Sequence, residues 1–135
     1  MALFGSKDER PTILIAEDDM VLRSVVGSIL EAEGYRILEA ANGQEAVEMA
    51  RAEPPAIIIL DIQMPLMNGI QATAALRADP KTAAIPILIC SAHGTFDNVE
   101  QCLALGAKDF IIKPFDTARL RDKVKAVLAK GKETK

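Results

Sequence analysis

The sequence has no tryptophan, one tyrosine, four phenylalanines, one histidine and two cysteines among its 135 residues. Each scarcity removes a class of protein. With so few aromatics, the apolar half of the chain must build an aliphatic core, and that half suffices for one domain at this length. Cys90 and Cys102 do not make a disulfide framework. One histidine, His93, and two cysteines without ligand spacing disfavour zinc. No apolar run approaches the roughly 20 residues that span a bilayer. Met1 to Arg10 lacks the apolar stretch of a signal peptide. The net charge of −3 argues against a strongly basic nucleic-acid binder. The expectation is a soluble, cytoplasmic protein. Residues 117–135 hold seven basic and two acidic residues, which read as a solvated helix face and a loose tail.

What the chain does have is a repeated order of apolar segments. Residues 12–16, 56–60, 85–90 and 110–112 are short runs without polar alternation. They predict parallel strands covered on both faces. Residues 35–39 alternate somewhat, as an edge strand does. Helical spacing fills the gaps. Leu22, Val25, Val26, Ile29 and Leu30 share one face ahead of Gly34. Asn42-Gly43 opens a second helix that turns Ala46, Val47 and Ala50 inward and stops at Pro54-Pro55. Asn68-Gly69 opens a third, reaching about Arg77, and a fourth covers roughly 95–105 before Gly106. The fifth buries Leu120, Val124, Val127 and Leu128 and shows Arg121, Asp122, Lys123 and Lys125 to water. Five β–α pairs in succession imply an α/β fold with right-handed crossovers. Residues 11–130 are expected to form the domain, with 1–10 and 131–135 as flexible ends.

The polar residues collect where the strands end. Glu17, Asp18 and Asp19 follow the first strand, Asp61 the third, Ser91 the fourth and Lys113 the fifth. Open parallel sheets bind ligands beyond the carboxyl ends of their strands, where the strand order reverses. The second strand ends without such a residue, which fits a sheet with strand one between two and three. Carboxylates crowded in this way persist as anions when a hard cation sits among them. Oxygen-only ligation by few protein groups suits Mg²⁺, which keeps several waters and favours phosphate partners. The acidic loop pattern of a Ca²⁺ site is missing. An ammonium and a hydroxyl beside such a cluster are what phosphoryl transfer requires, and a carboxylate can be its nucleophile.

These residues resemble the receiver domain of bacterial response regulators over roughly residues 11–130. Residues 13–19 (Ile-Leu-Ile-Ala-Glu-Asp-Asp) look like its first strand and acidic turn. Residues 59–69 look like its phosphoacceptor segment, 88–92 its hydroxyl-bearing strand, and 106–115 its fifth strand with a lysine-proline turn. The spacings agree as well: 43 residues from Asp18 to Asp61, 30 from Asp61 to Ser91 and 52 from Asp61 to Lys113. The resemblance implies a doubly wound (βα)5, flavodoxin-like three-layer sandwich on a parallel five-stranded sheet of order 2-1-3-4-5. It implies a stand-alone signalling protein rather than a turnover enzyme, with self-catalysed phosphotransfer and autodephosphorylation only. Asp61 would accept a phosphoryl group from a histidine kinase or phosphotransfer protein. Asp18, Asp61 and the backbone carbonyl of Gln63 would hold Mg²⁺, with Glu17 acting through water or directly. Ser91 and Lys113 would contact the phosphoryl group, Phe110 would be the switch aromatic, and Lys113-Pro114 would carry a cis peptide bond. A downstream target protein would dock on the fourth helix, fifth strand and fifth helix, residues 92–128, a face that leaves a weak homodimer open. No direct contact with nucleic acid and no membrane insertion is expected. Glu17 stands where Asp is commoner, and Phe110 where Tyr is often found.

Plainer readings stand beside these. Asp18 or Asp19 could cap the first helix, with Asp19 the better cap. Phe110 could be core alone. His93 reads as an exposed loop residue or a modulator of phosphate lifetime. Cys90 and Cys102 read as packing, and Met49, Met64 and Met67 as gap-fillers. An aspartate-nucleophile phosphatase of the haloacid dehalogenase type needs an acid two residues after the nucleophile, where Gln63 stands. A flavodoxin-like cofactor binder needs a phosphate loop after strand one, where three acids stand. A receiver that no longer takes phosphate and only binds is the third alternative.

Overall fold

The aliphatic runs lie at the centre of the molecule. The computed structural model describes residues 8–92 and 96–133, so His93 lies outside the described residues, as do 1–7 and 134–135. Branched aliphatic residues suit a pleated, buried surface. They build β1 (Thr12–Ala16), β3 (Ile57–Asp61) and β4 (Ile87–Ala92), flanked by β2 (Arg36–Ala40) and β5 (Asp109–Lys113). Five helices intervene: α1 (Met20–Ala32), α2 (Gly43–Ala52), α3 (Gly69–Ala78), α4 (Phe96–Ala104) and α5 (Thr117–Glu133). All strand pairs are parallel and the order is β2-β1-β3-β4-β5, with β1 between β2 and β3 as expected.

Alternation along each strand divides the core into two layers. Ile13, Ile15, Ile57, Ile59, Leu88, Cys90 and Ile111 pack with Val26 and Leu30 of α1 and Leu120, Val124 and Val127 of α5. Leu14, Ala16, Ile58, Leu60, Ile87 and Ile89 pack with Ala46 and Ala50 of α2, Ala72 and Leu76 of α3, and Val99 and Cys102 of α4. Met49, Met64 and Met67 fill the rim of this second layer. Each buried Leu or Ile contributes about 1.5–3 kcal/mol of transfer free energy, so both layers are needed to hold the sheet.

Four details differ from the expectation. β4 starts at Ile87 rather than at residue 85, because Pro86 has no N–H to give a ladder; its carbonyl still accepts from Ile58 N at 3.0 Å. β5 is the second edge of the sheet, and only Ile111 in it is fully covered. In α1 the buried stripe is Val26, Gly27 and Leu30, while Val25 points outward with Met20 and Val21. Lys123 is half-buried rather than solvated: its Nζ bonds Asp109 at 3.0 Å and sits 5.7 Å from the Phe110 ring centre.

The loop from Asp61 to α3 is pinned at several points. Asn68 and Gln71 cap α3 reciprocally, at 2.9 and 3.0 Å. Gly43 N donates to Met67 O at 3.0 Å, and Met67 N to Pro65 O at 2.7 Å across Leu66, whose φ is +66°. Gly69 N donates to Ile62 O at 2.7 Å. A Cβ on Gly69 would overlap the Asp61 carbonyl oxygen and stand 2.7 Å from Ile62 Cα. Gly69→Ala is therefore expected to cost about 2–3 kcal/mol. Gly34→Ala, at φ +98° in open space, is expected to cost only about 1 kcal/mol. Urea denaturation of the two variants checks the difference; equal losses would mean that the Asp61 loop yields easily.

Candidate functional site

Backbone register brings the candidate residues together. Asp61 pairs with Cys90, Ser91 with Ile112, and Ala92 with Lys113. Asp61 and Lys113 thus end their strands, and Ser91 stands one residue before the end of β4; none of the three follows its strand. Glu17 follows β1 directly, and its N–H bonds Ala40 O at 3.1 Å. Asp19 caps α1, its Oδ1 accepting from Val21 N and Leu22 N at 3.0 and 3.1 Å. That leaves Asp18 outside the cap, exposed, with a carboxylate facing the other two acids. One carboxylate oxygen from each of Glu17, Asp18 and Asp61 lies within 4.8 Å of the others.

Glu17, Asp61 and Ser91 are buried. Lys113 Nζ lies 2.6 Å from Glu17 Oε1 and 3.4 Å from Asp61 Oδ2. Glu17 Oε2 accepts from Asp19 N at 3.1 Å. Ser91 Oγ donates to Ala92 O at 3.0 Å. Ser91 has the strand parity of Ile87 and Ile89, and Phe110 packs half-buried against that same layer. Gln63 lies two residues beyond Asp61 with an exposed side chain. The Lys113-Pro114 peptide bond is cis.

Electrostatics follow from this geometry. Burial and the charge of Glu17 push the Asp61 carboxyl up to about 6, against the pull of Lys113. Burial works against the charge on Lys113. Its bond to Glu17 and the negative Asp61 outweigh that, and its pKa lies above the ordinary lysine value. Burial pushes the Cys90 thiol up to about 12, so no reactive thiolate forms near neutrality.

Sequence reasoning missed two supports. Arg23 Nη1 donates to the Glu17 carbonyl at 2.7 Å while its Nε bonds Glu39 at 2.9 Å, tying the acidic turn to β2. Lys123 stands beside Phe110. Lys123 read as a solvated helix residue, and nothing in the sequence around Arg23 marked it.

The family model described as response regulator receiver domain matches residues 13–125. The chain belongs to the response regulator receiver domain family. Receiver domains are the signalling modules of two-component systems rather than enzymes in the usual sense. This receiver is 37% identical to protein PilH of Pseudomonas aeruginosa over 117 residues, covering 87% of this chain and 97% of PilH. It is 40% identical over 117 residues to the phosphate regulon transcriptional regulatory protein PhoB of the same organism, covering 87% of this chain and 51% of PhoB. The chain thus spans about half the length of that relative. The receiver domain of the sensor histidine kinase PA1611 from Pseudomonas aeruginosa, solved with a magnesium ion coordinated in its active-site cleft, is 30% identical. The match has a TM-score of 0.82 and covers 89% of this chain and 98% of that one. Among the described residues, no helix is long and apolar enough to cross a membrane.

The raised pKa of Asp61 has a definite sign for stability. The native state holds this proton more tightly than the unfolded chain. The contribution to stability is therefore fully present below about 4 and is lost as pH rises through about 6. In chelator, Asp61→Asn should gain about 1–2 kcal/mol over the parent at pH 7 and nothing at pH 4. Urea denaturation at the two pH values checks this; an equal difference at both would remove the assignment to Asp61 ionisation.

Proposed function

We propose that this receiver accepts one phosphoryl group on Asp61 and that the modification controls binding to a partner protein. The observation that carries the reading is the burial of Asp61 beside Glu17 and Lys113, within a three-carboxylate group at the strand ends. The donor set is oxygen only and carries more negative charge than one lysine balances, which fits a hard divalent cation such as Mg²⁺. Asp18, Asp61 and the Gln63 carbonyl would hold it, with Glu17 through water or directly. When bound, it supplies positive charge against the phosphoryl oxygens.

The chain's own groups do the rest. An Asp61 carboxylate oxygen attacks the phosphorus of a phosphohistidine on a histidine kinase or phosphotransfer protein. The new P–O bond forms as the P–N bond breaks, and the imidazole leaves with a proton. Lys113 balances charge on the group, and Ser91 Oγ donates to one of its oxygens. Gln63 has no titratable proton, which supports a lasting acyl phosphate over phosphatase turnover. A Ser91 hydroxyl drawn toward the new oxygens leaves space on the face that Phe110 borders, so Phe110 and the surface of α4, β5 and α5 form the readout. This is a population shift biased by contacts that only the phosphorylated state makes.

Incubation with a small acyl phosphate and Mg²⁺, read by intact mass, is expected to add one phosphoryl group per chain. Asp61→Asn or a chelator should reduce uptake to background, and Asp18→Ala should weaken Mg²⁺ binding at least about tenfold. Normal uptake in Asp61→Asn would end the reading. With a beryllofluoride phosphate mimic, amide shifts should extend to Phe110 and residues 96–128; silence there would move the docking face elsewhere.

A further inference from the structure

Both oxygens of the Glu17 carboxylate are engaged. Oε1 accepts from Lys113 Nζ at 2.6 Å, and Oε2 accepts from the N–H of Asp19 at 3.1 Å. Lys113 stands farther from Asp61, at 3.4 Å. The ammonium's closer partner is thus the acid on β1 rather than the acid on β3. The Lys113 and Glu17 side chains are only 17% and 7% exposed. A short, charge-assisted bond in so dry a place is strong. Glu17 is also one of the three acids whose oxygens converge within 4.8 Å. A divalent cation entering that group and the ammonium of Lys113 therefore compete for one carboxylate. One lysine leaves the three carboxylates short of two positive charges, which a divalent cation supplies.

We propose that Glu17 is a positioning residue that keeps Lys113 nearer to itself than to Asp61 until a divalent cation takes its carboxylate, so that cation binding releases the ammonium to pair more closely with Asp61. The length of the glutamate side chain makes this work. It bonds the Asp19 amide with one oxygen and the lysine at the end of β5 with the other; an aspartate, one methylene shorter, would draw the carboxylate back toward β1 and loosen its hold on Lys113. Cation binding then does two things at once: it charges the site, and it frees the lysine that the phosphoryl group will meet. The inference rests on the reading of this site as one that takes a hard cation.

The test uses Mg²⁺ alone, with no phosphate mimic. Lysine is labelled with ¹³C at the ε-methylene, the Lys113 signal is assigned through Lys113→Arg, and backbone amides 17–19 and 61–64 are followed in the same titration. In the parent protein, the Lys113 signal should move with the same midpoint as the amides. In Glu17→Asp, the metal-free Lys113 signal should already lie near its Mg²⁺-saturated position, with a smaller remaining shift. Lys113→Met should tighten Mg²⁺ binding in the parent by at least about threefold more than in the Glu17→Asp background, the coupling expected of two groups that share one partner. Amides that move while Lys113 stays still would overturn the proposal and leave the cation reading standing. Amides that do not move at all would overturn both. If Glu17→Asp fails to fold, Glu17→Gln takes its place, and the Lys113 signal of the parent still decides.

Discussion

Three carboxylates, those of Glu17, Asp18 and Asp61, meet within 4.8 Å at one end of a sheet whose interior is largely aliphatic. Like charges at that separation near a protein surface oppose each other by a few kcal/mol per pair. Nothing in the acids themselves favours the arrangement. It persists because the two apolar layers fix β1, β3 and β5 in register, and because Lys113 is delivered by that same register. Folding free energy gained in the core is held as electrostatic tension at the edge. Burial first, and the charge of Glu17 second, raise the pKa of Asp61 against the pull of Lys113.

The surrounding loops keep the tension from relaxing. Gly69 lets α3 approach the Asp61 backbone, and Gly43 lets α2 grip Met67. Arg23 closes the acidic turn against β2, and Asp19 spends its carboxylate on the first turn of α1. Asp18 is thereby left as the one exposed acid of the three.

Strand parity then sorts the residues of β4 and β5 between the two layers. Ser91 and Phe110 belong to the layer that α4 covers, while Ile111, Leu88 and Cys90 belong to the layer under α1 and α5. Lys123 connects the two sides at the β5 edge, bonded to Asp109 and standing near the Phe110 ring. The packing of Phe110 is thereby tied to the surroundings of a charged side chain on α5.

Much of this was legible in the chain itself. Unbroken apolar runs between amphipathic segments can be satisfied by little other than a parallel sheet covered on both faces, so the fold class and the five β–α pairs follow from periodicity. Placing Asp61, Ser91 and Lys113 at strand ends follows from the same count, and motif spacing joins them to Asp18. Where the sequence failed, the deciding quantity was a distance or an angle through space. Val25 and Val26 are equally apolar, and only the pose of α1 on the sheet turned one inward. Lys123 reads as any helix-surface lysine until β5 brings Asp109 beside it. Glu17 and Lys113 are separated by 96 positions. Residue type required only that the ammonium find an acid; the lengths of three side chains and the register of two strands decided that it would be Glu17 before Asp61, because charge attraction is set by ångströms that no one-dimensional pattern records.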